Sequence, residues 1–499
     1  MTTDQVTSAR CVAQRGRSRG FAIGLLVVLS FGATLVARGA AEQPVVTGAT
    51  DSSNAIADLT VHHAEALAAT AVTAQAVTPI KHVVFIDQEN HSFDNVLGKV
   101  CKVRVTPCDG ATSGKLGSQT IALSQATDIV QNIGHSTFDQ PKAVDGGKMD
   151  HFDQIMNCAV PNQWRCYSQY SPGQIPNVTK LANTFGVSDR TFSQGLFASS
   201  MQHLELLDGG ITDGFVPDFV RQSTGPGWGC DSGNAGLWRA NSTAPGLWER
   251  FCVPAPAGSK AALAEPPAIQ NSPVKSLPTI LDRLEAAGRT WKIYADTDTT
   301  KRDYSWATCP MYAECFYGPQ RTHMVPSRSI VTDAAKGTLP SFSLLLPSGG
   351  VTGETAQHNF DSMKAGDNWL GQVVTAIEKS PDWSSTAIFL TYDDCGCFYD
   401  HVTPPSGLGI RVPMIVISPY VKPHYTDSQT ASFTSVIAFT ERIFGLQPLT
   451  LTDALSYAYL QMFNWSQTPL QPAALVNSPI PAASVTFLST HKPNLNDPT

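Results

Sequence analysis

HVVFIDQEN, His82 to Asn90, runs four β-branched or aromatic residues into four polar ones. An unbroken apolar run of that length, closed by polar residues, reads as a strand buried on both faces of a sheet. The pattern recurs far along the chain in AIFLTYDD, Ala387 to Asp394. In a parallel α/β sheet the carboxyl ends of the strands gather on one side, and ligands bind there. The two runs therefore deliver Glu89, Asn90, Asp393 and Asp394 to one edge. Either cluster alone is equally explained by turns and helix caps after a strand. Both together predict a site for a divalent cation (Ca²⁺, Mg²⁺, Mn²⁺ or Zn²⁺), because hard oxygen donors suit such ions.

Working outward, Trp291 to Ala295, Phe342 to Leu346 and Met414 to Ser418 are further buried-strand candidates. Helical patterns lie between them. Pro278 suits a first turn, with Ile280, Leu281, Leu284 and Ala287 on one face and Gly288 as a stop. Trp369, Val373 and Ile377 repeat behind Asp367 as a cap, and Val436, Phe439, Ile443 and Leu446 mark another helix. Alternating helices and apolar strands predict an α/β fold, a mostly parallel central sheet flanked by helices on both faces. The chain of 499 residues can bury a large core, as one domain or two. The expected order is a signal peptide or signal anchor over 1–40, a disordered linker over 41–78, a catalytic domain over 79–463 and a C-terminal tail over 464–499.

The leader reading rests on Arg10, Arg15, Arg17 and Arg19 before the apolar run Phe21 to Ala37, followed by Gly39, Ala40 and Ala41. Export makes the protein secreted or part of the cell envelope, and an uncleaved anchor stays open. Of eleven cysteines, Cys11 leaves with the leader. The even set remaining predicts disulfides in an oxidising compartment, with local pairs such as Cys101–Cys108 and Cys309–Cys315. A net charge of −7 argues against broad electrostatic binding to nucleic acid or anionic membranes.

IKHVVFIDQENHSFDNVLG, Ile80 to Gly98, resembles the opening motif of the bacterial phospholipase C and acid phosphatase family of the alkaline phosphatase-like superfamily. TYDDCGCFYDHVTPP, GIRVPMIVISPY and FTSVIAFTERIFGL resemble, in order, its second metal motif, the strand and turn after it, and its terminal helix. The resemblance implies an alkaline phosphatase-like fold and a metal-dependent hydrolase of phosphoric esters with a hydroxyl nucleophile. Glu89, Asn90, Asp393 and Asp394 match metal ligands, with Asp-Asp where most relatives have Asp-Glu. In FSQGLFASSMQHLEL, Ser199 matches the nucleophile and a further metal ligand, with Ser200 as the alternative. Phe197-Ala198 stands where Gly-Pro is usual, and Phe433 where many relatives have histidine. His135 and His358 match catalytic histidines of the family site, His203 and His323 are expected on the substrate side, and His401 in support.

The implied partners are a phosphate ester or phospholipid substrate, with membrane contact only through an N-terminal anchor or the lipid itself. The acidic balance leans toward a soluble phosphoester. A sulfatase needs a C/S-x-P-x-R context, which is not found near Ser199. A catalytically silent envelope-binding protein of the same fold is the alternative from another class.

Overall fold

Strand β1 (His82–Gln88) lies near the middle of an eight-stranded sheet and is buried from Val83 onward. The computed structural model describes residues 78–210, 215–220, 225–239, 244–350 and 353–491. The expected leader and all but the last residue of the linker lie outside the described residues. Among those described, no helix is long and apolar enough to cross a membrane.

Seven strands join the first: β2 (Gly186–Ser188), β3 (Trp291–Ala295), β4 (Met324–Pro326), β5 (Phe342–Leu345), β6 (Thr386–Tyr392), β7 (Met414–Ile417) and β8 (Thr426–Asp427). Their spatial order is β4-β3-β5-β1-β6-β7-β2-β8. Strand β1 pairs in parallel with β5 and β6, and β3 pairs in parallel with β5 and β4. Only β7 reverses, antiparallel to β6 and β2, while β8 runs with β2. The mostly parallel sheet expected from the apolar runs is present. Asp87 pairs with Thr391 and Gln88 with Tyr392, so β1 and β6 end level. One further bond, Asp393 N–H to the Gln88 carbonyl at 2.9 Å, carries the ladder into both acidic loops.

Five helices matter for the site and its supports: α1 (Pro176–Thr184), α2 (Ser199–Glu205), α3 (Ile280–Ala286), α4 (Met363–Glu378) and α5 (Phe433–Phe444). Helix α5 lies on the middle of the sheet, where Phe433 meets Phe85 at 6.3 Å between ring centres and Phe439 meets Phe389 at 4.8 Å. The two sheet phenylalanines are register partners. Phe433 therefore fills a core position. Helix α3 starts on a capping box of Thr279 and Asp282, one residue past Pro278, and Gly288 closes it at φ +62°.

Helix α4 differs from expectation. It begins at Met363 behind Ser362, whose side chain accepts from Ala365 N–H at 3.1 Å. Asp367 sits inside the helix and caps a neighbour, accepting from Asn177 N–H at 3.1 Å and Val178 N–H at 2.9 Å. Helix α1 has no side-chain cap of its own, so the aspartate satisfies donors that would otherwise be orphaned.

The described part of the tail lies across α1 and α4. Asn177 exchanges two 2.8 Å bonds with the backbone of Val476, and Asn368 exchanges bonds of 2.7 and 2.8 Å with Ser478. Each amide copies the donor–acceptor pairing of a β-ladder. Among the described residues, four disulfides join Cys101–Cys108, Cys158–Cys166, Cys230–Cys252 and Cys309–Cys315. Both suggested local pairs are among them, while Cys395 and Cys397 remain thiols.

Candidate active site

Past β1 the chain turns sharply at Asn90, which adopts φ +60°, a left-handed conformation that asparagine tolerates better than most residues. The turn directs Asn90 N–H to Asp393 Oδ1 at 2.8 Å. The facing loop presses Gly396 onto Asn90, where an added Cβ would lie 1.9 Å from the Asn90 carbonyl oxygen. Only glycine fits there. The loops after β1 and β6 are therefore locked together, and all four predicted ligands are completely buried.

Helix α2 supplies two groups. Ser199 and His203 are four residues apart and share one helix face. Ser199 Oγ lies 3.0 Å from Asn90 Oδ1, and His203 Nε2 lies 2.7 Å from Glu89 Oε1. Buried Ser200 Oγ has no hydrogen-bond partner. Glu89, His203 and Asp393 each present a donor atom within 4.8 Å of the others. His203, expected on the substrate side, thus stands among the groups that could hold a metal ion.

The Asn90 amide reports on charge. With its oxygen toward Asp393, Asp394 and Ser199 the amide meets only acceptors, which a cation between them would offset. Turned over, its nitrogen donates to Asp394 Oδ1 and Ser199 Oγ at 3.0 Å, and its oxygen accepts from His358 Nε2 at 3.0 Å. The guanidinium of Arg302, which has no acceptor, lies 3.4 Å from His358 Nδ1. His358 Nδ1 is therefore the lone-pair nitrogen and Nε2 carries the proton. His135 is the mirror case. Its Nδ1 donates to the Ile133 carbonyl at 2.8 Å, which leaves an acceptor at Nε2, buried and without a hydrogen-bond partner. The two rings meet edge to face at 6.4 Å.

Arg302 is held by Asp361 at 2.9 Å and Asp303 at 3.1 Å and lies over the Trp306 ring. Trp306 also flanks His358 and His203, and Trp228 covers the other edge of His203. The walls of the site are thus aromatic, which keeps the local dielectric low and strengthens its electrostatics.

Burial, and then repulsion from Asp393 and Asp394, raises the carboxyl of Asp87 well above its usual range. Burial raises Glu89 likewise, with Asp393, Asp87 and Asp394 adding to it and Arg302 opposing. Asp393, buried and beside Asp394, is pushed up to about 8, and burial alone takes Asp394 to about 8. Burial lowers His203 to about 3, so its ring is neutral and able to ligate. Both oxygens of Asp87, Glu89 Oε2, Asp394 Oδ2 and His203 Nδ1 are buried without hydrogen-bond partners. Buried carboxylates that repel one another and leave several oxygens without donors fit a divalent cation, whose positive charge would offset their desolvation. Glu89, Asn90, His203, Asp393 and Asp394 would hold it.

Two of the expected histidines lie away from the cation site. His323 lies elsewhere: its ring stacks on Trp291 at 4.5 Å, and its Nδ1 bonds the Trp291 carbonyl at 3.0 Å. Trp291 opens β3, so His323 sits at the amino end of a strand whose carboxyl end faces the site. His401 contacts none of the proposed ligands. It bridges Asp94 at 2.6 Å and Asp109 at 3.1 Å, beside buried Arg411, which pairs with Asp400 and Asp94. This network pins the segment after β1 to the segment after β6.

Sequence reasoning passed over Asp87, Arg302, Trp306 and Trp228. Asp87 had a signal, since strand alternation puts residue i on the face of residue i+2 and hence beside Glu89. Arg302 and Trp306 lie in a short 3-10 helix and Trp228 in a bend, none of them in a segment with a readable period.

The phosphoesterase family model matches residues 80–447. Non-specific phospholipase C1 of Arabidopsis thaliana is 24% identical over 79% of this chain and 72% of its own length. Phospholipase C B of Mycobacterium tuberculosis is 24% identical over 79% of each chain. A non-hemolytic phospholipase C of Burkholderia pseudomallei is 28% identical, but over only 34% of this chain and 32% of its own. Among solved structures, an alkaline phosphatase superfamily protein from Vibrio parahaemolyticus aligns at 14% identity and a TM-score of 0.35, covering 76% of this chain and 70% of that one. The match over Ile80 to Gln447 spans both acidic loops, α2 and the central sheet, and on that ground the chain belongs to the phosphoesterase family and is a phosphoric ester hydrolase.

Proposed function

We propose that the chain hydrolyses phospholipid head-group esters through attack by Ser199, forming a phosphoseryl intermediate that water then cleaves. One observation carries the reading. Ser199 Oγ, Asp393, Asp394 and His358 Nε2 converge on the side-chain amide of Asn90, at 3.0–3.3 Å. The names of the relatives favour a phospholipid, cleaved to diacylglycerol and a phosphorylated head group, over the soluble phosphomonoester to which the charge balance leans. A divalent cation in this site supplies charge that neutralises the phosphoryl oxygens and eases ionisation of the serine.

The chain's own groups do the rest. His358 donates its Nε2 proton to a phosphoryl oxygen and so steadies charge that grows in the transition state. Arg302 keeps His358 in that tautomer. His135, with a lone pair at Nε2, takes the Ser199 proton and passes it to the departing diacylglycerol oxygen, then takes a proton from the water that releases the phosphorylated head group and returns it to Ser199. Trp306 and Trp228 exclude bulk water. The four disulfides among the described residues support export.

The test measures turnover of p-nitrophenyl phosphate and p-nitrophenyl phosphorylcholine, with and without chelator. Wild type should favour the diester, lose its rate with chelator and regain it on metal addition. A preference for the monoester moves the substrate to phosphomonoesters. A rate indifferent to chelation sinks the metal, and no turnover in any divalent metal supports the silent binding protein.

A further inference from the structure

Cys395 and Cys397 stand immediately after the paired aspartates, in the sequence DDCGC. Both are completely buried. Their sulfur atoms lie 2.7 Å apart. That is inside the van der Waals contact of two thiols and outside the ~2.05 Å of a sulfur–sulfur bond.

The backbone explains the approach. Gly396 and Cys397 both adopt left-handed conformations, φ +49° and +41°, and Phe398 N–H closes the turn on the Cys395 carbonyl at 3.0 Å. The turn throws both side chains to the same side, and Cys397 N–H points at Cys395 Sγ at 3.0 Å. It also braces the proposed ligands, since Gly396 N–H donates to Asp394 Oδ1 at 2.7 Å and Gly396 packs on the Asn90 carbonyl. The eight other described cysteines are all oxidised in pairs.

We propose that Cys395 and Cys397 close a fifth disulfide across Gly396, and that this bond clamps the turn that presents Asp394 and Asn90 to the cation. The clamp rests on the metal reading given above; the disulfide does not. Forming it breaks two S–H bonds and makes one S–S bond. The two hydrogens, as two protons and two electrons, pass to a low-molecular-weight disulfide such as oxidised glutathione, which leaves as two thiols. One cysteine attacks that disulfide and the other displaces the mixed intermediate. Because the folded loop hides both sulfurs, the exchange comes before the loop closes, during folding.

The experiment folds the full chain in a glutathione redox buffer, unfolds it in denaturant with iodoacetamide and no reductant, and weighs the peptide that spans both cysteines. The expected peptide is unlabelled and lighter than the dithiol by two hydrogens. A peptide labelled at both cysteines overturns the disulfide. Metal content after dialysis against graded chelator then tests the clamp. The double variant Cys395→Ser/Cys397→Ser should lose its metal at roughly tenfold lower chelator than oxidised wild type, the scale of groups that orient ligands. Equal retention refutes the clamp. Should oxidised wild type hold no metal at all, the metal reading and the clamp fall together, while the peptide mass still decides the disulfide, even if the variant does not fold.

Discussion

Ser199 and Ser200 open the same helix, and both are completely buried, yet their hydroxyls differ. One reaches the Asn90 amide and the other has no hydrogen-bond partner. Replacing Ser199 by alanine removes the attacking atom, and kcat should fall by about 10³-fold or more. Ser200→Ala removes a hydroxyl that touches nothing reactive, and kcat should stay within about threefold. Steady-state rates on one chromogenic diester decide it, and the reverse order transfers the role to Ser200. The tautomer of His358 is open to a second test. Arg302→Met takes away the donor facing His358 Nδ1 and leaves Asp303 and Asp361 without their cation. The proton on His358 is then free to move to Nδ1. The expected loss is ~10²-fold in kcat with little change in KM, as for an oriented donor felt mainly in the transition state; a change confined to KM contradicts it. Asn90 and the aspartates were legible because they follow unbroken apolar runs, whereas Ser199 was reached only through the family resemblance. His323 was misplaced because a motif assigns a histidine to a family block but not to an end of the sheet.

Strand runs dominated by apolar residues leave few alternatives, and Trp291–Ala295 and Met414–Ile417 appear in the sheet within a residue of their sequence limits. Helix starts were less legible, because a cap is a contact and the contact need not be local. Asp367 shows this: placed as the cap of its own helix, it caps α1 instead, across a tertiary interface. Asp367→Ala should therefore uncap a helix to which it does not belong. The expected cost is about 1–2 kcal/mol, read as a lower urea midpoint with an unchanged slope. An unchanged midpoint shows that water satisfies those donors equally well.

At the scale of the whole molecule, the tail is strapped over α1 and α4 by two asparagines and by Glu378, whose Oε1 accepts from Ala473 N–H at 2.9 Å. Its Oε2 is buried without a hydrogen-bond partner, and burial pushes the carboxyl up to about 7, with the Ala473 bond opposing. A carboxyl raised on folding binds its proton more tightly in the folded chain than in the unfolded one, whose value is about 4.5. Its contribution is thus fully present below pH 4.5, and it is lost as pH rises to 7. Above pH 7 the folded chain holds a buried, half-satisfied charge, a penalty on the order of 2–3 kcal/mol. Glu378→Gln keeps an acceptor for Ala473 N–H and removes that charge. The variant should therefore unfold at higher urea than wild type at pH 8, and the two curves should converge near pH 4. Other carboxylates titrate over the same range and tilt both curves alike, so the quantity to follow is the difference between the proteins. A gap that is constant with pH, or one that widens toward acid, rules out Glu378 as the titrating group beneath the tail.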